Sequence, residues 1–411
     1  MQRYRAIKVE LDPNNRIRTL LFRSAGAARF AWNWSLSRRI ERFNTKEGKN
    51  KFTNAFAEHK ELVKLKQNEL SWLYDVAKDC PQYALRSLDS AFRTFWKERK
   101  NGVGFPKFKK KGKARDSFSL QQGIKVHKRH VYLPRLGWIR VKEPVELKGA
   151  TIKHATVSRI TDKWFVSLCV IEEVPEPLQV QGSVIGIDLG VTTFATLSNK
   201  TKISSPQPLK KALTKLAKAQ KSLSRKQKGS NNKKKAVLKV SKIHARIANI
   251  RRDFLHKLTT MLAKTKSVIV IEDLNVKGMV KNHNLSRSIS DQGWCEFRRQ
   301  LEYKTQWYGS NLIIADRWFA SSKICSNCGY KLDKLPLNVR SWICPICGIH
   351  HDRDINSAIN LAKYPECQGN LKPVEIPLTA EQESSWSTSY GSMKQEADSG
   401  LDHISSVEAG S

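Results

Sequence analysis

Three carboxylates and four thiols carry the chemistry this sequence can do. Asp188 closes an apolar run, Val184-Ile185-Gly186-Ile187, and Glu272-Asp273 closes a second, Val268-Ile269-Val270-Ile271. Short β-branched runs of this kind read as buried strands, which puts each acid at a sheet edge. A third acid, Asp354, follows His350-His351-Asp352-Arg353 and opens a helical pattern, Ile355-Asn356-Ser357-Ala358-Ile359-Asn360-Leu361. Taken alone, a strand-end Asp more often caps a turn or a helix. Two strand-end acids and one helix-start acid that converge make a site for divalent ions. Asp273 and Asp352 are the alternative ligands, but neighbouring strand residues face opposite sides, so Glu272 and Asp273 do not both reach one ion from a regular strand.

The thiols lie in two close pairs, Cys325-Ser326-Asn327-Cys328 and Cys344-Pro345-Ile346-Cys347, with fifteen residues between them. That spacing suits one tetrahedral Zn²⁺ held entirely by protein, a structural ion with no open position for catalysis. Four buried free thiols are the alternative, and they leave the paired spacing unexplained. His350 and His351 read as polar neighbours of the acidic site rather than as further zinc ligands. Cys80, Cys169, Cys295 and Cys367 are isolated, which indicates metal use in a reducing compartment rather than disulfides.

Composition names the class of partner. The 411 residues suffice for two or three domains, and their formal charge of +37 is self-repelling unless a polyanion neutralises it. Trp, Phe and Tyr are scattered among the basic residues, which favours nucleic acid. No apolar run approaches the roughly 20 residues of a membrane-spanning helix, and residues 1–5 lead straight into alternating sequence without a signal-peptide core. The chain is therefore expected in the cytoplasm, without a membrane partner.

The elements that must position these groups follow in chain order. Residues 5–11 alternate as a strand, which Asp12-Pro13-Asn14-Asn15 stops. Ile17, Leu21, Ala25, Ala28, Trp32, Leu36, Ile40 and Phe43 recur at helical spacing, as do Leu85, Leu88, Phe92 and Phe95. With 51–74 helical in composition, a helical unit spans 16–100. Residues 101–113 interleave aromatics with lysines as a solvated basic loop or, as a chain this basic favours, a loop on backbone phosphate. From 117 to 171 the pattern is strands and tight turns, with Trp164, Val166, Leu168 and Val170 on one face and a hairpin at Thr161-Asp162-Lys163. These strands predict a small β-barrel shared with the first strand, with the helical unit inserted into it. Residues 172–181, carrying Pro175 and Pro177, read as a linker.

Between Asp188 and Asp253 there is no acidic residue but there are 18 Lys and Arg. A basic disordered loop is one reading; a helical hairpin along a polyanion is the one preferred here. A helical stripe on Trp294, Phe297, Leu301, Lys304 and Tyr308 and a strand over 311–315 follow. The order of strand, strand, basic helices, strand, helix, strand, cysteines, helix is that of a nuclease α/β domain of the ribonuclease H type. From Cys367 the chain turns acidic and aperiodic, a disordered tail expected neither to pack nor to contact phosphate.

The order of these motifs resembles TnpB, the OrfB products of bacterial insertion sequences and relatives of type V CRISPR effector nucleases. The likeness is carried by the Asp188 strand, Val270-Ile271-Glu272-Asp273-Leu274, the cysteine pairs and the run from His351 to Asn360. Arg29-Phe30-Ala31-Trp32-Asn33, Gly104-Phe105-Pro106-Lys107-Phe108-Lys109, Leu133-Pro134-Arg135-Leu136-Gly137 and Asp253-Phe254-Leu255-His256-Lys257-Leu258 add further signatures. It covers nearly everything except the tail.

The resemblance implies an α+β multidomain chain. A wedge-like β-barrel (1–15 and 101–175) would carry an inserted α-helical recognition domain (16–100). A RuvC-like nuclease domain (182–320 and 348–366) would hold a zinc finger (321–347), ahead of a disordered tail (367–411). It implies an RNA-guided DNA endonuclease that binds a guide RNA from the transposon end and cuts double-stranded target DNA beside a transposon-adjacent motif. Asp188, Glu272 and Asp354 match the family's catalytic triad. Asp188 would bridge two Mg²⁺ and the other two acids would hold one each, giving 5′-phosphate and 3′-hydroxyl ends. Candidate nucleic-acid contacts are Arg29, Asn33, Lys107, Phe108, Lys109, Lys110, Arg225, Lys226, Lys228, Arg251 and Arg353. Ser357 stands where the family usually has Ala, and Trp32 replaces a commoner Tyr; neither removes a carboxylate. The oligomeric state stays open, with a monomer favoured. A non-cutting RNA-guided DNA-binding regulator and a transposase that joins DNA directly are the rival readings.

Overall fold

The computed structural model describes residues 1–44 and 53–367. The segment from 368 on, which includes all but the first residue of the expected tail, lies outside the described residues, and Cys367 still belongs to the last helix.

β1 (Gln2–Leu11) turns into the 30-residue α1 (Asn15–Asn44), with the Asn14 side chain accepting the Ile17 N–H at 2.9 Å. Next come α2 (Ala55–Gln67) and α3 (Asp79–Glu98), then β2 (Ser117–Leu120), β3 (Lys125–His127), β4 (His130–Leu133) and β5 (Gly137–Arg140). The long hairpin β6 (Thr151–Ile160) and β7 (Lys163–Glu173) closes this half. One antiparallel sheet has the order β1-β7-β6-β2, and a second is β3-β4-β5. They join where Leu11 bridges Val141, with the Asp12 N–H on the Arg140 carbonyl at 2.8 Å. The expected barrel is thus an open, curved wall: β2 and β3 do not pair, and α1 and α3 pack against β2 instead. Trp164, Val166, Leu168 and Val170 point inward, as their alternation requires, and meet Val9, Leu21, Leu36, Leu85 and Leu88 in one continuous core. The helical segment, inserted in sequence, has no core separate from that of the sheets.

The second half builds a different sheet. β8 (Val184–Leu189), β9 (Ala195–Leu197) and β10 (Lys202–Ile203) lead into the helical hairpin α4 (Pro208–Ser224) and α5 (Asn231–Thr265). β11 (Val268–Glu272), the short α6 (Val276–Met279), α7 (His283–Gln292), α8 (Trp294–Tyr308) and β12 (Asn311–Ala315) follow. After the cysteine segment, with β13 (Ser341–Ile343) and β14 (His350–Asp352), α9 (Arg353–Cys367) ends the fold. The strand order is β10-β9-β8-β11-β12; β8, β11 and β12 run parallel, β9 pairs antiparallel with β8, and β10 pairs antiparallel with β9. The basic stretch does form a hairpin, held by its own small core of Leu216, Ala219, Val240, Ile243 and Ile247. Ser230 caps α5, and Lys242 ties it to the β6–β7 turn through Asp162 at 2.6 Å. Among the described residues, no helix is long and apolar enough to cross a membrane.

Strand alternation decides which acid goes where. Ile185, Ile187, Ile269 and Ile271 share a core with Leu255, Leu258 and Leu262 of α5 and Phe297 and Leu301 of α8. Val268 and Val270 pack instead with Leu361 and Tyr364 of α9. Gly186 and Asp188 therefore share the α9 face with Glu272, while Asp273 falls on the α8 face. Gly186 is required there, because a β-carbon would lie 2.0 Å from the Ala358 carbonyl oxygen and 2.4 Å from the Ala362 nitrogen. Gly186→Ala should push α9 off the sheet, cost about 3 kcal/mol and carry Asp354 away from Asp188. Thermal melting and cleavage assays should fall together; an unchanged melting temperature contradicts this close approach.

Candidate metal centres

β8 and β11 run in register, with Val270 opposite Gly186 and Ile271 opposite Ile187, so Asp188 and Glu272 come next on neighbouring parallel strands. The Ser357 hydroxyl of α9 donates to Asp188 Oδ1 at 2.9 Å, and the Ser321 hydroxyl donates to Glu272 Oε1 at 2.6 Å. The two hydroxyl oxygens are themselves 2.9 Å apart, so two serines bridge the two acids. Asp354 sits one helical turn before Ser357, on the same side of α9.

Electrostatics suit these acids to a cation. Burial pushes the Asp188 carboxyl up to about 7, helped by the charges of Glu272 and Asp354 and opposed by the Ser357 hydrogen bond. Asp188 keeps a solvent-accessible edge, so it is reachable as well as desolvated. Burial raises Glu272 too, against the hydroxyls of Ser321 and Ser357. Buried acids that repel one another, with the nearest guanidinium on Asp354 at 3.6 Å from Arg340, are a donor set that a divalent cation satisfies.

The alternative ligands have other partners. Asp273 is clamped by Arg298 at 2.7 Å and by Arg317, on the far face of the strand. Asp352 caps α9 by accepting the N–H groups of Asp354 and Ile355 at 3.0 and 3.1 Å, and it pairs with Lys202 at 2.7 Å. Burial works to raise the Asp352 carboxyl, but Lys202 and the cap hold it below the usual range.

The four sulfurs of Cys325, Cys328, Cys344 and Cys347 lie within 4.8 Å of one another, the one group of three or more Cys, His, Asp or Glu ligand atoms so tightly gathered among the described residues. Each pair sits in the same local turn. The Gly329 and Gly348 N–H groups donate to the carbonyls of Cys325 and Cys344, both at 2.9 Å, with φ of +78° and +68°, where only glycine is unstrained. The Ile349 N–H holds the Cys347 thiol down to about 6, and the thiolate it favours is the form that binds zinc. His351 corrects the sequence reading. It is buried against Trp342 with its Nε2 3.0 Å from Cys325 Sγ, so it neighbours the thiols and not the acids. The alternation of β14 explains this, since Asp352, one residue on, must turn to cap α9.

Sequence reasoning missed the residues that join the two centres. Asn356 and Asn360, one turn apart on α9, both donate to the Ile324 carbonyl, at 2.7 and 2.6 Å, and Asn360 also donates to that of Ser321. The Ser326 N–H returns a bond to Asn356. The i, i+3 and i, i+4 spacing of Asp354, Ser357, Asn356 and Asn360 held that information. Nothing in the sequence ties Ser321 to Glu272.

The expected nucleic-acid contacts divide into two sets. Lys107, Phe108, Lys110, Arg225, Lys226 and Lys228 are exposed on the 101–113 loop and the hairpin tip. The others have protein partners. Arg29 pairs with Asp116 at 3.1 Å, and the Asn33 side chain brackets the Lys109 backbone at 2.7 and 2.9 Å. Lys109 Nζ lies 3.6 Å from the Trp32 ring centroid. Arg251 pairs with Asp291 at 2.9 Å, and Arg353 donates to the Pro336 carbonyl at 2.7 Å.

Comparison with known proteins adds kinship. Residues 167–283 match the OrfB model of the IS605 group, described as "Probable transposase", and 294–361 match "Cas12f1-like, TNB domain". Residues 1–49 match a model described as "Helix-turn-helix domain", although the described part of that stretch is a strand and one long helix. A Streptomyces pristinaespiralis protein named "Putative RNA-guided DNA endonuclease" is 37% identical over 95% of this chain and 96% of its own length. "Putative RNA-guided DNA endonuclease InsQ" of Escherichia coli K12 is 36% identical over 88% and 92%. Among solved structures, a Cas12f1–sgRNA–target DNA complex matches with a TM-score of 0.52 at 14% identity, covering 88% of this chain and 99% of that one, a likeness of fold.

Proposed function

We infer the activity from the premise that this chain belongs to the TnpB (OrfB) family: it is an RNA-guided DNA endonuclease that cuts target DNA at the Asp188, Glu272 and Asp354 site. The observation that carries the reading is the meeting of Asp188 and Glu272 on one face of the sheet, beside the first turn of α9 and its Asp354.

These three acids would hold Mg²⁺, whose chemistry when bound is to acidify a water nucleophile and stabilise the leaving 3′ oxygen, giving 5′-phosphate ends. The protein's own part is to set the ligands. Ser357 and Ser321 fix one oxygen each of Asp188 and Glu272, and the Asp352 cap fixes the first turn of α9. Burial and the charges of Glu272 and Asp354 raise the Asp188 carboxyl, and a cation held there would favour its ionised form. The four thiolates would hold one structural Zn²⁺, and the asparagines of α9 couple it to Ser321.

Guide RNA and DNA would lie on the exposed Lys107, Phe108, Lys110, Arg225, Lys226 and Lys228, which take backbone phosphate without reading sequence. Arg29, Asn33 and Lys109 brace the 101–113 loop from within, whereas Arg251 and Arg353 are spent on Asp291 and the Pro336 carbonyl. We assign the first half to a wedge and recognition unit and the second to a RuvC-like nuclease unit with its zinc finger. With phosphate contacts of this kind, target choice falls to the guide and only the adjacent motif to protein. Exchanging the guide segment should redirect cleavage to the new match beside the same motif. Cleavage of one fixed sequence whatever the guide, or with none, overturns this in favour of a transposase that acts on DNA directly.

A further inference from the structure

We propose that Trp318 is a stacking platform for one unpaired base of the DNA strand entering the acidic site, an inference that rests on the nuclease reading and extends it. Trp318 lies in the turn between β12 and the cysteine segment, and its residue surface is 86% exposed. The turn around it is pinned. The Asp316 N–H donates to the Tyr364 hydroxyl at 3.1 Å, and Asp316 Oδ1 accepts the N–H of Trp318 itself at 2.8 Å. Arg317 is locked on Asp273, next to Glu272 in β11. Phe319 packs edge-on against Tyr364 with ring centroids 4.9 Å apart, and Ser321 donates to Glu272. A six-residue turn thus spends the polar or aromatic side chains of Asp316, Arg317, Phe319 and Ser321 on holding itself against the site, and presents one indole to water.

The position selects the ligand. Trp318 and Ser321 are three positions apart, a Cα–Cα span of at most about 10 Å, and Ser321 touches Glu272, so the ring lies within a few nucleotides of a phosphate held at Glu272. A paired base has its faces covered by its own stack, whereas an unpaired base offers a face to any aromatic ring, whatever its sequence. Because the backbone of the turn is held in place, the ring is preorganised and little is lost in ordering it on binding. A second copy or a protein partner would use the same apolar surface, but neither needs the ring fastened to the ligand-bearing turn.

The test uses full-length protein with its guide RNA. In Mg²⁺-free buffer, single-stranded DNA carrying 2-aminopurine at successive positions should be quenched at one position by wild type and by Trp318→Phe, and not by Trp318→Ala. Base stacking of about 1–3 kcal/mol predicts affinity for that strand about 5- to 150-fold weaker in Trp318→Ala, with an unchanged melting temperature. With a guide-matched duplex, an abasic site at the quenched position should slow wild type by a similar factor and slow Trp318→Ala no further. Equal quenching in wild type and Trp318→Ala, or independent effects of the abasic site and the substitution, overturns the proposal, as does a Trp318→Ala change in oligomeric state with DNA affinity intact. The binding arm uses a strand matched to the guide, which sets its register, but needs no cleavage, so failure of the nuclease reading is seen separately, in the wild-type duplex reaction.

Discussion

Asp188→Asn is expected to lower Mg²⁺-dependent cleavage at least about 1,000-fold, because the several kcal/mol of transition-state stabilisation that bound cations would supply would go with one of the carboxylates proposed to hold them. RNA and DNA binding should survive, since the exposed lysines and arginines lie elsewhere. The same variant should melt higher than wild type in Mg²⁺-free buffer at pH 8. Asp188 has its folded carboxyl raised from 3.8 to about 7, so the folded state binds a proton more tightly than the unfolded state does. The resulting stability is fully present below the unfolded value and is lost as pH rises through about 7. Above that, the ionised acid costs on the order of 4 kcal/mol, which the neutral amide removes while still accepting the Ser357 hydroxyl. Wild type should therefore gain stability from pH 8 to pH 6, and Asp188→Asn should gain less. Glu272→Gln should behave similarly, and Asp354→Asn should lose cleavage with little change in melting. Full cleavage by any of the three removes that residue from the site, and a lower Asp188→Asn melting temperature refutes the electrostatic account.

Removing zinc should be nearly as severe, through a different route. Four-cysteine sites of this type contribute roughly 10 kcal/mol or more of local folding energy, against which the small core around Trp342 and the hydrogen bonds to α9 are a minor support for the two glycine-closed turns. Cys325→Ser or Cys344→Ser should unfold residues 322–350 and release Ile324 and Ser321 from the asparagines of α9. Glu272 then loses the hydroxyl that orients it, so cleavage should fall even though no acid has changed. Metal analysis should find one zinc per chain, lost in the variants along with protection of the 322–350 amides from hydrogen exchange. Active, carefully prepared protein without zinc contradicts the assignment. His351→Ala, which removes only the imidazole beside Cys325, should give a milder loss of zinc affinity.

The chemistry was legible in the sequence because it is written in residue types at local spacings. Alternation alone separated Glu272 from Asp273: β11 turns Val268, Val270 and Glu272 toward α9 and Asp273 toward Arg298. Two Cys-x-x-Cys pairs name a candidate metal site from local spacing alone, and the fold gathers their four sulfurs. The apolar periods of α1 and β7 placed those elements with their inward faces correct, apart from the exposed Phe43 near the end of α1, since burial of one face is what the period encodes.

Only the tertiary structure decided what meets across the chain. Ser321 and Glu272 are 49 residues apart and Ser357 and Asp188 are 169 apart, separations at which no local pattern carries information. Single side-chain orientations were equally out of reach. His351 lies between the second cysteine pair and the acids Asp352 and Asp354 in sequence but faces Cys325, because a three-residue strand must send its middle residue one way and Asp352 the other. The same reason divides the basic residues. A charge in the sequence says that the chain is basic, but whether Arg29 or Lys110 is free to hold a phosphate depends on whether an acid such as Asp116 has already been folded against it.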